Sequence, residues 1–439
     1  MTPPLVEMTT SYHDPPLSDA SVRRNGRLPI ELAEACIDML HDDQDALYAC
    51  ARVCRAWLPR AYSHRFAVLR YGIDTEPPGF WPPRAVNLVC LLDYLVENRR
   101  VGSLVRELFL RARRERLQLN LLRMLLFHLP HLIVCDLDAA VQNSLTSFFT
   151  YPICTAYNPK ALRVLTIRAP RTLRGHVALE ELLELFSSIE DLRLSLENPR
   201  AGQGKRPRST RRQHGLKVAR LTIDGRYSQA AATAMLQLRA VLDKTSLRVL
   251  SCPAFGARAE DPSVLRLFLE DCGAGLAELD ISDAARDIEG PVELHACPSI
   301  VSLHLIVPLP VGSGLHGPGF NGGWNTLCST LWNAPPSLRR VRLALDPLGG
   351  SKGSPPGVYT RELLVALDSL DWSAVDRYLR SRGKGARHLL SLCIVNKDFD
   401  SPCTLLGVAR QIVDAKLTSR VRRYVDYELV STTSVQSIV

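Results

Sequence analysis

From about residue 100 onward one short pattern keeps returning: an apolar residue, two of any kind, an apolar residue, one of any kind, and a third apolar residue. It starts at Val105, Leu132, Leu162, Ile189, Val218, Leu247, Leu276, Ile300, Leu338 and Leu389. Successive starts lie 27, 30, 27, 29, 29, 29 and 24 residues apart, then 38 and 51. In a chain that is 46% hydrophobic, about one position in ten fits the template by accident, so the spacing carries the argument and the matches alone do not. The period-two alternation predicts a short strand with one buried face, and the stretches between, such as Val177–Phe186 and Ala230–Leu242, have helical period. One strand and one helix per 27–30 residues predicts an α/β array whose units bury their apolar faces by stacking. Leu165, Leu192, Leu221, Leu250 and Leu279 should then form one buried row. A doubly wound sheet would also alternate helices with strands, and only strand order separates the two.

Ahead of the array, Leu28–Phe66 reads as two amphipathic helices joined by an acidic loop. Pro29 and Glu31 suit a helix start, where a missing N–H costs nothing and a carboxylate meets the positive end of the dipole. Leu32, Cys36 and Leu40 recur every four residues. Asp42 and Asp43 can cap the second helix, along which Leu47, Cys50, Cys54 and Trp57 follow. Residues 1–26 are rich in Pro, Ser, Thr and Asp without period and are expected to be a disordered tail. The organisation expected is therefore a helical module over 27–72, linker helices over 73–104, the array over 105–400, and a cap or tail over 401–439. Two interruptions stand out, a basic loop at 197–215 and a Gly/Pro loop at 307–323.

The Leu28–Phe66 segment resembles the F-box, in the form found in fungal F-box-like proteins. Leu28, Pro29, Glu31, Leu32, Ile37, Leu40, Leu47, Cys50, Val53, Cys54, Arg55 and Trp57 carry the likeness, the VCRAW stretch most specifically. The array in turn resembles a leucine-rich-repeat solenoid with degenerate repeats. The Asn or Cys such repeats hold nine residues into the motif is replaced by Arg113, Ala140, Pro170, Glu197, Arg226 and Phe255. The resemblance implies docking to the small adaptor subunit of a Skp-cullin-F-box ubiquitin ligase, with Leu28, Pro29, Ile30 and Leu32 against the adaptor and Leu47 and Val53 as second choices. Cys50, Cys54 and Trp57 could equally be interior packing, and the helices could equally cap the array. An unknown target protein would bind the strand face. The pattern points Phe109, Thr166, Arg168, Arg193, Arg220, Thr222 and Arg342 outward there.

Composition adds exclusions. No segment approaches the 18 to 20 apolar residues of a membrane span, and the first twenty residues contain no signal-like stretch, so a cytoplasmic or nuclear protein is expected. Twelve cysteines without a Cys-x-x-Cys pair suggest neither metal site nor disulfide framework. The net charge of +9 is concentrated in Lys205–Arg212 and in Arg111–Arg116, the latter compatible with a helix. No aromatic residues interleave with either cluster, so nucleic acid is not an expected partner. A nuclear or RNA-associated scaffold with a vestigial F-box is the rival reading. Gly312–Gly317 fits G-x-G-x-x-G without a following helix, and Gly349–Gly353 places Ser351 in a G-x-S-x-G match followed by prolines, which a nucleophile elbow does not tolerate. No catalytic residue or cofactor is therefore expected, and the chain is read as a non-enzyme.

Overall fold

The computed structural model describes residues 28–72, 88–142, 158–169, 179–196, 215–224, 228–253, 263–282, 292–310, 322–348, 364–382, 390–396 and 402–431. The chain divides into two units, one ending at Arg65 and the other beginning at Phe66.

The first unit holds three helices rather than two: α1 (Ile30–Met39), α2 (Gln44–Val53) and α3 (Leu58–Arg65). Pro29 stands at the start of α1, its carbonyl accepting from the N–H groups of Leu32 and Ala33 at 3.1 Å. Asp43 caps α2 by accepting from Ala46 N–H at 2.9 Å, which satisfies one of the orphan donors of a helix start. The helix that would have run on to Phe66 breaks at Cys54, whose extended backbone (φ −161°, ψ 165°) turns the chain before α3. Ile37, Leu47 and Ala61, one from each helix, form the buried centre, and Leu40, Cys50, Ala51 and Trp57 pack around it. Asp38 fastens α1 to α3, receiving both Nε and a terminal nitrogen of Arg60 at 2.5 Å, with His64 Nε2 at 2.7 Å. These contacts, Arg60 first and His64 second, hold the Asp38 carboxyl well below the usual carboxylate range.

The second unit is one parallel sheet of twelve strands whose spatial order is their sequence order. They are β1 (Val68–Tyr71), β2 (Glu107–Gln118), β3 (Val134–Gln142), β4 (Lys160–Ala169), β5 (Phe186–Leu196), β6 (Lys217–Asp224), β7 (Val249–Pro253), β8 (Glu278–Ser282), β9 (Ser302–Pro310), β10 (Arg340–Leu348), β11 (Leu390–Asn396) and β12 (Val425–Ser431). A doubly wound sheet reverses its strand order and covers both faces. This one does not reverse, and its main core lies on one side, so the architecture is solenoid-like. Leu165, Leu192, Leu221, Leu250 and Leu279 are register partners in succession. The row extends in both directions, from Leu69, Leu108 and Cys135 to Leu303, Val341, Leu390 and Val425, and every member is buried in one core cluster.

The array is longer than 105–400. It opens at β1, with Phe66, Leu69 and Tyr71 buried, and the helix Leu88–Glu97 is its first packing helix, not a linker, since Leu88, Leu91 and Leu95 join the core. It closes beyond 401 with the helix Pro402–Lys416 and β12. Arg111–Arg116 lies in β2 instead of a helix, and the register with β3 shifts between Ala112 and Arg116. At β11 the pairing begins at Leu390, opposite Val341, two residues before the Leu392 that the Leu389 start would place there. The side chains of the six substituted turn positions beginning with Arg113 lie outside what is described. What fastens consecutive units at their starts is backbone. The N–H groups of Arg106 and Glu107 both donate to Ala67 O, those of Ile133 and Val134 to Arg106 O, and those of Ala277 and Glu278 to Arg248 O, at 2.7–3.0 Å. Units approach so closely at Gly275 that a Cβ would stand 2.9 Å from the carbonyl oxygen of Thr245.

Candidate interaction surfaces

Two surfaces could engage partners, one on each unit. On the N-terminal unit, Leu28, Ile30 and Leu32 at the head of α1 and Val53 at the end of α2 are 41–61% exposed, and Pro29 is exposed beside them. Leu47 is corrected: it is fully buried at the centre of the three helices and presents no surface to a partner. Cys50 and Trp57 pack on the same centre while Cys54 is exposed. Met39 and Tyr48 are further exposed apolar residues. The guanidinium of Arg65 lies 4.7 Å from the Tyr48 ring centroid and that of Arg52 lies 5.6 Å away. The sequence carries their signal, apolar residues off the core stripe of an amphipathic helix.

On the array, the side of the sheet opposite the main core displays polar side chains in rows. Phe109, Thr166, Arg193, Thr222 and Arg342 occupy one row, on β2, β4, β5, β6 and β10. Arg168 stands two residues further along β4, and Arg220 two residues before that row on β6, both on the same face. Thus Arg168, Arg193 and Arg220 are gathered on three adjacent strands, whereas Phe109 and Arg342 are far apart along the sheet. The row also contains Asp136, Ser251, Asp280 and His304, which the template would have located at the same offset from each motif start.

These polar residues form local clusters. Arg193 bonds Asp191 through two nitrogens at 2.7 and 3.0 Å. Ser251 donates to Asp280 Oδ2 at 3.3 Å, and His304 Nδ1 lies 3.0 Å from Asp280 Oδ1, an ion pair when the ring is protonated. Arg342 bonds Glu428 at 2.9 Å and the Cys393 sulfur at 3.1 Å. Beside it Ile306, Ala344 and Cys393 make a small buried apolar cluster separate from the main core. Around Asp136, Arg168 approaches Oδ2 at 3.1 Å. Burial pushes the Asp136 carboxyl up, Arg168 and Arg111 pull it down, and Asp138 adds to the rise.

The basic loop over Lys205–Arg212, the Gly312–Gly317 match and Ser351 lie outside the described residues. Among the described residues no helix is long and apolar enough to cross a membrane. Compared with known proteins, the chain matches no family model and no curated protein.

Proposed function

We propose that this chain is a non-catalytic F-box adaptor, a substrate receptor of a Skp-cullin-F-box type ubiquitin ligase. The three-helix unit docks the Skp-type adaptor subunit, and the strand face of a leucine-rich-repeat-like array holds a target protein. The observation that carries this reading is the exposure of Leu28, Ile30, Leu32 and Val53 in a unit whose buried centre is three side chains. Helical units this small rarely bury enough surface to stand without a partner, and these residues are the ones the F-box resemblance assigns to the adaptor. The chemistry is positional. A receptor of this kind raises the effective concentration of its target near an enzyme carried by other subunits.

The test is co-precipitation of the tagged chain with the adaptor and cullin subunits, repeated with Leu28→Ala and Pro29→Ala together. Adaptor capture should disappear in the double variant while the thermal transition of residues 66–439 stays in place. Undiminished capture by that variant, or no capture by the unaltered chain, overturns the ligase reading.

A further inference from the structure

Asp136, Asp191 and Asp280 on the strand face each keep one buried carboxylate oxygen without a hydrogen-bond partner, and around Asp136 a buried donor is unpaired as well. Asp136 and Asp138 on β3 are only 6% and 4% exposed although they stand on the side away from the main core. Arg111 on β2 and Arg168 on β4 are the register partners of Asp138, so two positive and two negative side chains share three adjacent strands. Arg168 takes Asp136 Oδ2. The other oxygen, Oδ1, is buried without a hydrogen-bond partner, and so is Nε of Arg111.

Buried polar atoms left unpaired are costly, so each favours whatever group completes it. Among the described residues the four charges sum to zero, which gives neither an anion nor a cation a net Coulombic advantage from them. What is missing is one acceptor for the Arg111 N–H and one donor for the Asp136 oxygen. A carboxylate offers acceptors only and an ammonium donors only; a hydroxyl offers both on a single atom, whereas an amide carries donor and acceptor on separate atoms of a rigid, uncharged plane, which suits two side chains on different strands. Phe109, the register partner of Asp136, and the half-buried Val134 and Val164 on the same face give that plane apolar sides.

We infer that β2–β4 carry a subsite for an amide group of the bound target, with Arg111 Nε donating to its carbonyl and Asp136 Oδ1 accepting from its N–H. The amide is an Asn or Gln side chain or a main-chain peptide. Entry runs past Arg168, whose side chain is 45% exposed and whose partly solvated pairing with Asp136 yields readily. The inference rests on the reading that the strand face binds a target protein.

The test pans the full-length chain against a library of random 16-residue peptides and measures the selected peptides on variants whose folding is checked by circular dichroism. Arg111→Lys keeps the charge and removes the Nε–H, and Asp136→Asn keeps the shape and alters the acceptor. Selected peptides should bind both variants about tenfold more weakly, the effect of one lost hydrogen bond at the upper end of its range. A fixed Asn or Gln in those peptides identifies a side-chain amide. If no residue is fixed, replacing a single peptide bond by an ester, which removes the N–H, should weaken binding to the unaltered chain more than to Asp136→Asn. Should Asp136→Asn unfold β3, weaker binding of the ester peptide to the unaltered chain together with weaker binding of the parent peptide to Arg111→Lys decides, and the absence of either loss overturns the subsite. Peptides weakened by Arg193→Ala or Arg342→Ala but indifferent to Arg111→Lys and Asp136→Asn overturn the subsite and leave the strand-face reading standing. A fixed charged residue at the sensitive position overturns the amide assignment. Selection of no peptide sensitive to any strand-face substitution overturns both readings.

Discussion

The two units solve the same problem with unequal means. The array buries an unbroken row from Leu69 to Val425, each member flanked by its equivalents in the neighbouring units. The three-helix unit closes on Ile37, Leu47 and Ala61 and leaves Leu28, Ile30, Leu32, Met39 and Val53 in the open. Where stacking is available, apolar residues find partners within the chain. Where it is not, they remain on the surface as material for an interface.

Substitutions sharpen that contrast, beginning with the deepest side chains. Leu221→Ala should cost about 2–5 kcal/mol in denaturant titration of the array, because it opens a cavity between two packed neighbours. Leu47→Ala should cost a similar amount but fall on the small unit alone, seen as loss of α1–α3 helicity with the array transition unmoved. If either change spreads to the other unit, the two are not independent.

Next in size is Asp376, buried on the helix Ser373–Arg382 and bonded by Arg380, by Thr418 N–H at 3.0 Å and by the Thr418 hydroxyl at 2.9 Å. Burial alone would raise its pKa, but these bonds outweigh it and the net shift is downward. A depressed carboxyl contributes stability that is fully present above its unfolded pKa of about 3.9 and is lost as pH falls through the folded value. Asp376→Asn should therefore destabilise the C-terminal units by about 1.5–3 kcal/mol at neutral pH, the range for bonds to a charged group. It should also flatten the acid limb of their pH–stability curve below pH 4. An unchanged acid limb would assign the acid sensitivity to other carboxylates.

The smallest effects belong to the surfaces. Thr222→Ala, one residue from Leu221, and Leu32→Ala on the exposed head of α1 should each shift stability by only a few tenths of a kcal/mol. A larger loss for Thr222→Ala would reveal that the strand face is covered by contacts within the chain. A larger loss for Leu32→Ala would mean that this residue serves the unit's own packing.

Much of the array was legible because the hydrophobic period is set by backbone geometry. Any strand with one buried face alternates, and any stacked unit repeats at a fixed interval. The same template fits Phe66, Leu69 and Tyr71, but a helical run immediately before them masked the switch of period, and β1 was absorbed into the N-terminal module. The break at Cys54 was hidden for a related reason: helical spacing continues through Trp57 although the backbone does not. Arg111–Arg116 contains no apolar alternation, so only its pairing with β3 makes it a strand. Of the candidate surfaces, outward positions followed from the register, whereas Leu47 could be assigned to the interior only once a third helix was seen to close over it. The unpaired atoms of Arg111 and Asp136 have no sequence signature, since they depend on what fails to arrive within bonding distance.

Strands in sequence order also make the sheet a ruler. Twelve strands at about 4.8 Å spacing give a face of about 53 Å measured along a row. An extended segment at about 3.3 Å per residue needs about 16 residues to touch every strand, and a helix at about 1.5 Å needs about 35. If a target lies along the strand face as proposed, the shortest fragment of it that retains full affinity counts the strands it crosses, and each strand lost from one end of the array should shorten that fragment by one or two residues if the target lies extended, or by about three if it is helical.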